Sequence, residues 1–143
     1  KESGRELALL DFPAFWAAHG ITRPLRVRKQ ARAVLHPTCT LMKAGGVGDL
    51  LACARHHAQE VLLPVNAECC GFAGDRGFTV PELTASAAAR EAEEVRALTA
   101  SAEASLYSTC RTCEIGMGRA VGRPYGSLVH LVHATLEGLE RRP

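Results

Sequence analysis

Three short apolar runs, at 31–36, 60–65 and 104–108, alternate along this chain with segments of helical character, and that alternation restricts the fold more than any other feature. Pro37 closes the first run. The second run is apolar on both faces, as strands buried inside a parallel sheet are. Between them, Gly45, Gly46 and Gly48 form a loop, and Asp49 is placed to cap a helix through Leu50, Leu51 and Ala54 to about residue 58. Pro81 opens the clearest helix, 82–100, rich in Ala, Glu and Arg. A short helical piece is expected after Cys113, and a last amphipathic helix over 127–140, with Leu128, Leu131, Val132, Leu136 and Leu139 on one side. Upstream, Leu7, Leu10, Phe15 and Trp16 suit a helix that stops at Gly20. Strands and helices in this order imply right-handed crossovers. The predicted fold is α/β: a three-layer sandwich with a short, mostly parallel sheet flanked by helices.

Hydrophobic residues make up 47% of the 143, enough for an ordinary core, and the length is that of one domain. Residues 1–30 read as a leading helix and a basic connector. Arg23, Arg26, Arg28, Lys29 and Arg32 form either a solvated linker or a strip that docks a partner domain or an anionic membrane face. The net charge of +2 argues against nucleic-acid binding. Lys1 opens directly on helical sequence, which we read as a piece cut from a longer polypeptide. Neither a signal peptide nor a membrane-spanning apolar run is present in this sequence, which points towards the cytoplasm. There, six cysteines mean metal or redox chemistry more often than disulfides.

The cysteines follow the strands. Cys39 comes just after the first run, Cys69 and Cys70 after the second, Cys110 and Cys113 after the third. In a parallel sheet all strand C-termini share one edge, and ligand sites of open α/β sheets form beyond it. Five thiols are therefore predicted to converge there as a metal site. Zinc takes four ligands, and adjacent Cys69 and Cys70 are awkward on one small ion. A multi-iron cluster distributes five thiolates over several metal atoms. Gly71 allows close backbone approach, and backbone N–H groups of the loop that includes Gly71 and Gly74 are candidate donors to sulfur. A structural zinc module using four of the five thiolates is the alternative. Dithiol exchange at Cys110 and Cys113 is another, with Arg111 lowering a thiolate pKa. Cys53 falls mid-helix among apolar neighbours and reads as core.

The pattern Cys39, then Cys69-Cys70-Gly71, then Cys110-x-x-Cys113 resembles the CCG cysteine-rich domain over about residues 33–139. That family includes the CCG-bearing component of heterodisulfide reductases and iron–sulfur components of glycolate, lactate and glycerol-3-phosphate dehydrogenases. The segments Cys69-Cys70-Gly71-Phe72-Ala73-Gly74-Asp75-Arg76-Gly77-Phe78 and Cys110-Arg111-Thr112-Cys113-Glu114-Ile115-Gly116-Met117 look like the C-terminal part of fused FAD-linked D-lactate dehydrogenases. The resemblance implies that Cys39, Cys69, Cys70, Cys110 and Cys113 ligate a 4Fe–4S cluster of noncubane type, although some CCG domains bind zinc. It implies an FAD domain and ferredoxin-like domains elsewhere in the parent chain, and a quinone or cytochrome acceptor, with the protein cytoplasmic or peripheral at the inner membrane face. The heterodisulfide reductase component carries two CCG motifs; this chain carries one.

Histidines take lesser parts in this reading. His36, near Cys39, is a candidate to support a ligand from behind. His56 and His57 lie on a helix away from the strand ends, as surface or core residues. His130 and His133 line a face of the last helix. Asp75 and Arg76 form either a local turn pair or a contact for a substrate group or neighbouring domain.

Overall fold

The computed structural model describes residues 9–137 of the chain. Four parallel strands form one sheet: β1 (Gln30–His36), β2 (Ala58–Leu62), β3 (Ser105–Ser108) and β4 (Tyr125–Ser127), in the order β2-β1-β3-β4. β1 pairs with β2 on one side and with β3 on the other. Its side chains alternate between the faces. Ala33 and Leu35 enter one core with Leu50, Cys53, Leu131 and Val132; Val34 enters the other with Phe72, Ala92, Val95, Leu106 and Met117. The result is the three-layer α/β arrangement, with helices on both faces of a fully parallel sheet.

Among the described residues seven α-helices surround it: α1 (Phe12–Phe15), α2 (Cys39–Lys43), α3 (Val47–His57), α4 (Arg76–Thr79), α5 (Pro81–Thr99), α6 (Arg111–Val121) and α7 (Leu128–Thr135). The first core lies under α3 and α7, the second under α5 and α6. α5 starts with Pro81 at its first position, where the missing N–H costs nothing. α1 begins later than the spacing predicts and runs on as a π-turn, Trp16–Gly20. Gly20 is its last residue, and a Cβ there would lie 2.2 Å from the Trp16 ring. Leu7 and Leu139 lie outside the described residues, and Leu10 is half exposed rather than on a buried helical face.

Three elements differ from the sequence-based expectation. β2 ends at Leu62 and lies on the sheet edge, with Gln59 and Glu60 exposed and Val65 turned out to solvent. Pro64, which has no N–H for a ladder, marks where the chain leaves the sheet. Asp49 sits inside the first turn of α3, and Gly46 occupies the cap. β4 is an unexpected fourth strand, three residues long, whose Ser127 also caps α7 by accepting from the Val129 N–H. The basic connector is tied down at its C-terminal end: Arg28 N–H donates to the Thr135 carbonyl and Lys29 Nζ to the Arg55 carbonyl. Arg32 belongs to β1 and pairs with Glu60. No helix among the described residues is long and apolar enough to cross a membrane.

Candidate metal centre

The C-terminal ends of β1 and β3 carry the site. β1 ends at His36, and Pro37 and Thr38 then turn the chain into α2. Thr38 accepts from the Leu41 N–H, which leaves Cys39 as the first helical residue, half-buried. β3 ends at Ser108, whose hydroxyl donates to the His36 carbonyl across 3.0 Å and couples the two strand ends. Cys110 then occupies the N-cap of α6 and Cys113 its third helical position, buried. α6 therefore follows Cys110 directly and contains Cys113, so the helix starts earlier and runs longer than the expected piece.

The Cys69-Cys70 pair comes in on the loop after β2. Gly71 has φ +70°, and a Cβ there would lie 2.6 Å from Ala87 Cβ and 2.7 Å from the Leu83 carbonyl oxygen. Only glycine lets this loop bend and still lie flat on α5. The bend sends the two sulfurs to different depths. Cys69 is exposed, with the Gly71 N–H 3.4 Å from its sulfur; Cys70 is buried, and the Phe72 N–H reaches its sulfur. The loop's backbone thus reaches sulfur at Gly71 and Phe72, while Gly74 supplies a further turn at φ +74°.

Cys70 Sγ and Cys113 Sγ lie 3.1 Å apart. His36 completes a buried trio: its ring and the two sulfurs offer ligand atoms all within 4.8 Å of one another. Cys110 neighbours Cys113, and Cys39 neighbours Cys69, but Cys39, Cys69 and Cys110 are not part of the buried group. Cys110 also lines a cleft of about 330 Å³ shared with Thr38, Thr40, Leu41 and Thr109. Cys53 stands apart, fully buried in α3, where burial pushes its thiol up to about 12.

The electrostatics polarise the trio. The Cys113 thiol beside Cys70 and the nearby His36 outweigh burial and lower Cys70. Cys113 is driven upward by Cys70 and by burial, so the pair shares its proton unequally in favour of Cys113. Burial raises Cys110, but the Thr112 hydroxyl and the N–H groups that open α6 outweigh it and lower the thiol. Burial and the neighbouring Cys69 raise Cys39. For His36, burial disfavours the charged ring, yet Cys70 and Glu91 more than compensate and lift it to about 9. Arg111 is not what lowers Cys110; its guanidinium turns to Glu114, 2.8 Å away.

Two residues outside the cysteine pattern complete the site. His36 is fully buried and groups with the Cys70 and Cys113 sulfurs. Its Nδ1–H donates to both carboxylate oxygens of Glu91, at 2.8 and 2.9 Å, while its Nε2 has no hydrogen-bond partner. Glu91 comes from the middle of α5 and is 2% exposed. A signal for it is present in the sequence: Ala88, Glu91, Ala92 and Val95 share the buried stripe of α5, where an unpaired carboxylate is costly.

The remaining histidines lie elsewhere. His57 is buried against Trp16 and Thr135, and His130 and His133 are exposed on α7. Asp75 and Arg76 are exposed at the start of α4. Arg119 instead braces the glycine loop, with its guanidinium over the Phe72 and Phe78 rings and a bond to the Gly77 carbonyl.

Soft sulfur donors with an orphaned imidazole nitrogen suit a thiophilic transition metal and not magnesium or calcium, which take oxygen. The residues present therefore fit a metal ion. Comparison of the chain with protein-family models, with curated proteins and with solved structures gives no match.

Proposed function

We propose that this chain is an iron–sulfur electron-transfer module of a larger FAD-linked dehydrogenase acting on a 2-hydroxy acid of the D-lactate type. The contact between the Cys70 and Cys113 sulfurs, with Cys110 beside Cys113, is the observation that supports this reading. Cys39, Cys69, Cys70, Cys110 and Cys113 would hold the cluster. When bound, such a cluster accepts and releases single electrons. The chain's own contribution is to exclude water from Cys70 and Cys113, to aim the Gly71 and Phe72 N–H groups at sulfur, and to hold Cys110 at the positive end of α6. Electrons would arrive from the FAD and ferredoxin-like domains of the parent chain and leave to a quinone or cytochrome.

Anaerobic reconstitution with iron and sulfide tests the assignment. A species absorbing in the visible, with an electron paramagnetic resonance signal on reduction, is expected. Stoichiometric zinc with no iron uptake would overturn it. A second reading, a structural zinc module, is favoured by the buried trio itself: His36, Cys70 and Cys113 supply three of four tetrahedral donors, and Cys110 is at hand for the fourth. Full zinc retention in Cys39→Ser and Cys69→Ser would select it.

A further inference from the structure

We propose that His36 is itself a ligand of this metal centre, through Nε2, and that Glu91 is the residue that positions it. The assignment rests on the metal-centre reading above but not on which metal is bound.

Three observations carry it. His36 Nε2 is a buried polar atom with no hydrogen-bond partner, an arrangement that is costly if nothing meets it. That nitrogen belongs to the one histidine that groups with cysteine sulfurs among the described residues, and both sulfurs are buried with it. The other nitrogen is spoken for: both oxygens of Glu91 lie within 2.9 Å of Nδ1, which leaves Nε2 as the nitrogen a metal would take on displacing its proton. A carboxylate behind an imidazole that groups with cysteine sulfurs is the arrangement that metal-binding histidines use. The carboxylate orients the ring and makes it a better donor.

The fold explains why the geometry is held so firmly. His36 closes β1, which is hydrogen-bonded to a neighbour on each side, and its carbonyl accepts from Ser108. Glu91 sits in the middle of the 19-residue helix α5, away from fraying ends. The imidazole groups with two buried cysteine sulfurs, both of them metal donors. An imidazole among thiolates removes one negative charge from the ligand set and shifts an iron–sulfur potential upward compared with an all-thiolate site.

The test uses the full 143-residue chain, reduced and handled anaerobically, with Co²⁺ alone as the probe. Wild type is expected to give thiolate-to-cobalt charge-transfer bands and, by pulsed electron paramagnetic resonance, a nitrogen coupling that changes when the protein is grown on ring-¹⁵N histidine. His36→Ala should lose that coupling and keep charge transfer. Glu91→Gln, which retains an acceptor for Nδ1–H, should keep the coupling and bind Co²⁺ about 10–100-fold more weakly. A Cys53→Ala control should match wild type.

Failure of wild type to bind Co²⁺, charge transfer without nitrogen coupling, or a coupling that survives in His36→Ala would each overturn the assignment. So would unchanged affinity in Glu91→Gln, as far as Glu91 is concerned. If His36→Ala fails to fold, isotope labelling of wild type decides the matter alone. The iron–sulfur reading fails separately, by absence of iron–sulfide uptake, and a histidine-coupled Co²⁺ signal would then still uphold His36.

Discussion

The indole N–H of Trp16 donates to Nε2 of His57 across 2.8 Å. His57 must then carry its proton on Nδ1, which faces Thr135 Oγ1 at 2.6 Å, and the Thr135 hydroxyl passes its own proton to the Leu131 carbonyl. Every position in this chain of bonds is filled when the ring is neutral. A second proton on His57 would have to sit on Nε2, against the indole donor.

Burial, helped by the neighbouring His56 and Lys29, lowers His57 from 6.5 to about 4. The unfolded ring accepts a proton that the folded ring refuses. Stability from this group is therefore complete above pH 6.5 and is lost as the pH falls towards 4. Urea unfolding midpoints should drop over that window by the equivalent of about 3 kcal/mol. His57→Gln should flatten most of this dependence; an unchanged slope would assign the acid sensitivity elsewhere.

Gly71→Ala should be the most damaging single-methyl addition in the cysteine loop. It imposes a positive φ on alanine and drives a Cβ into Leu83 and Ala87. A loss of about 1–3 kcal/mol is expected in thermal or urea unfolding. Metal uptake should fall further than global stability, because the strain lies next to Cys70.

Thiol reactivity should rank by depth and charge. Timed alkylation of the reduced, metal-free protein, read by peptide mass spectrometry, should modify Cys69 early and Cys53 last, since Cys69 is exposed and Cys53 is buried with its thiol pushed up to about 12. Loading with metal should protect Cys69, Cys70 and Cys113 and leave Cys53 unchanged. Protection of Cys53 in parallel with the others would show that metal acts through global stability.

Exposure of the metal-free protein to air should oxidise Cys70 and Cys113 first, because the two sulfurs are in contact and the Cys70 thiol is lowered. Non-reducing peptide mapping should recover the two linked, with metal uptake blocked until a reductant is added. Linkage of Cys39 to Cys69 ahead of Cys70 to Cys113 would contradict this.

The parts of the fold that are legible in the sequence are those whose periodicity is long enough to read. β1 and α5 can be placed almost to their ends, because seven residues of strand and nineteen of helix repeat their pattern. β4 cannot, since three residues that include Gly126 carry no alternation, and Ser127 serves both strand and helix. The meeting of Cys70 and Cys113 is readable from strand order. The roles of His36 and Glu91 are not. Their pairing spans 55 residues, and the telling fact about His36 is a nitrogen left without a partner, which no local pattern encodes. Glu91 is hidden because a carboxylate in an Ala, Glu and Arg helix reads as solvated surface until its place on the apolar stripe is counted.

β1 lies between two neighbouring strands, and its final residue is the imidazole that groups with the sulfurs. The site is therefore built half on bedrock and half on shore: one donor is immobilised by the sheet, while Cys69 rides on a solvent-washed loop. If the centre carries electrons as proposed, rearrangement on a change of oxidation state would be taken up on the loop side, and the sheet side would keep the penalty for reorganising the centre low.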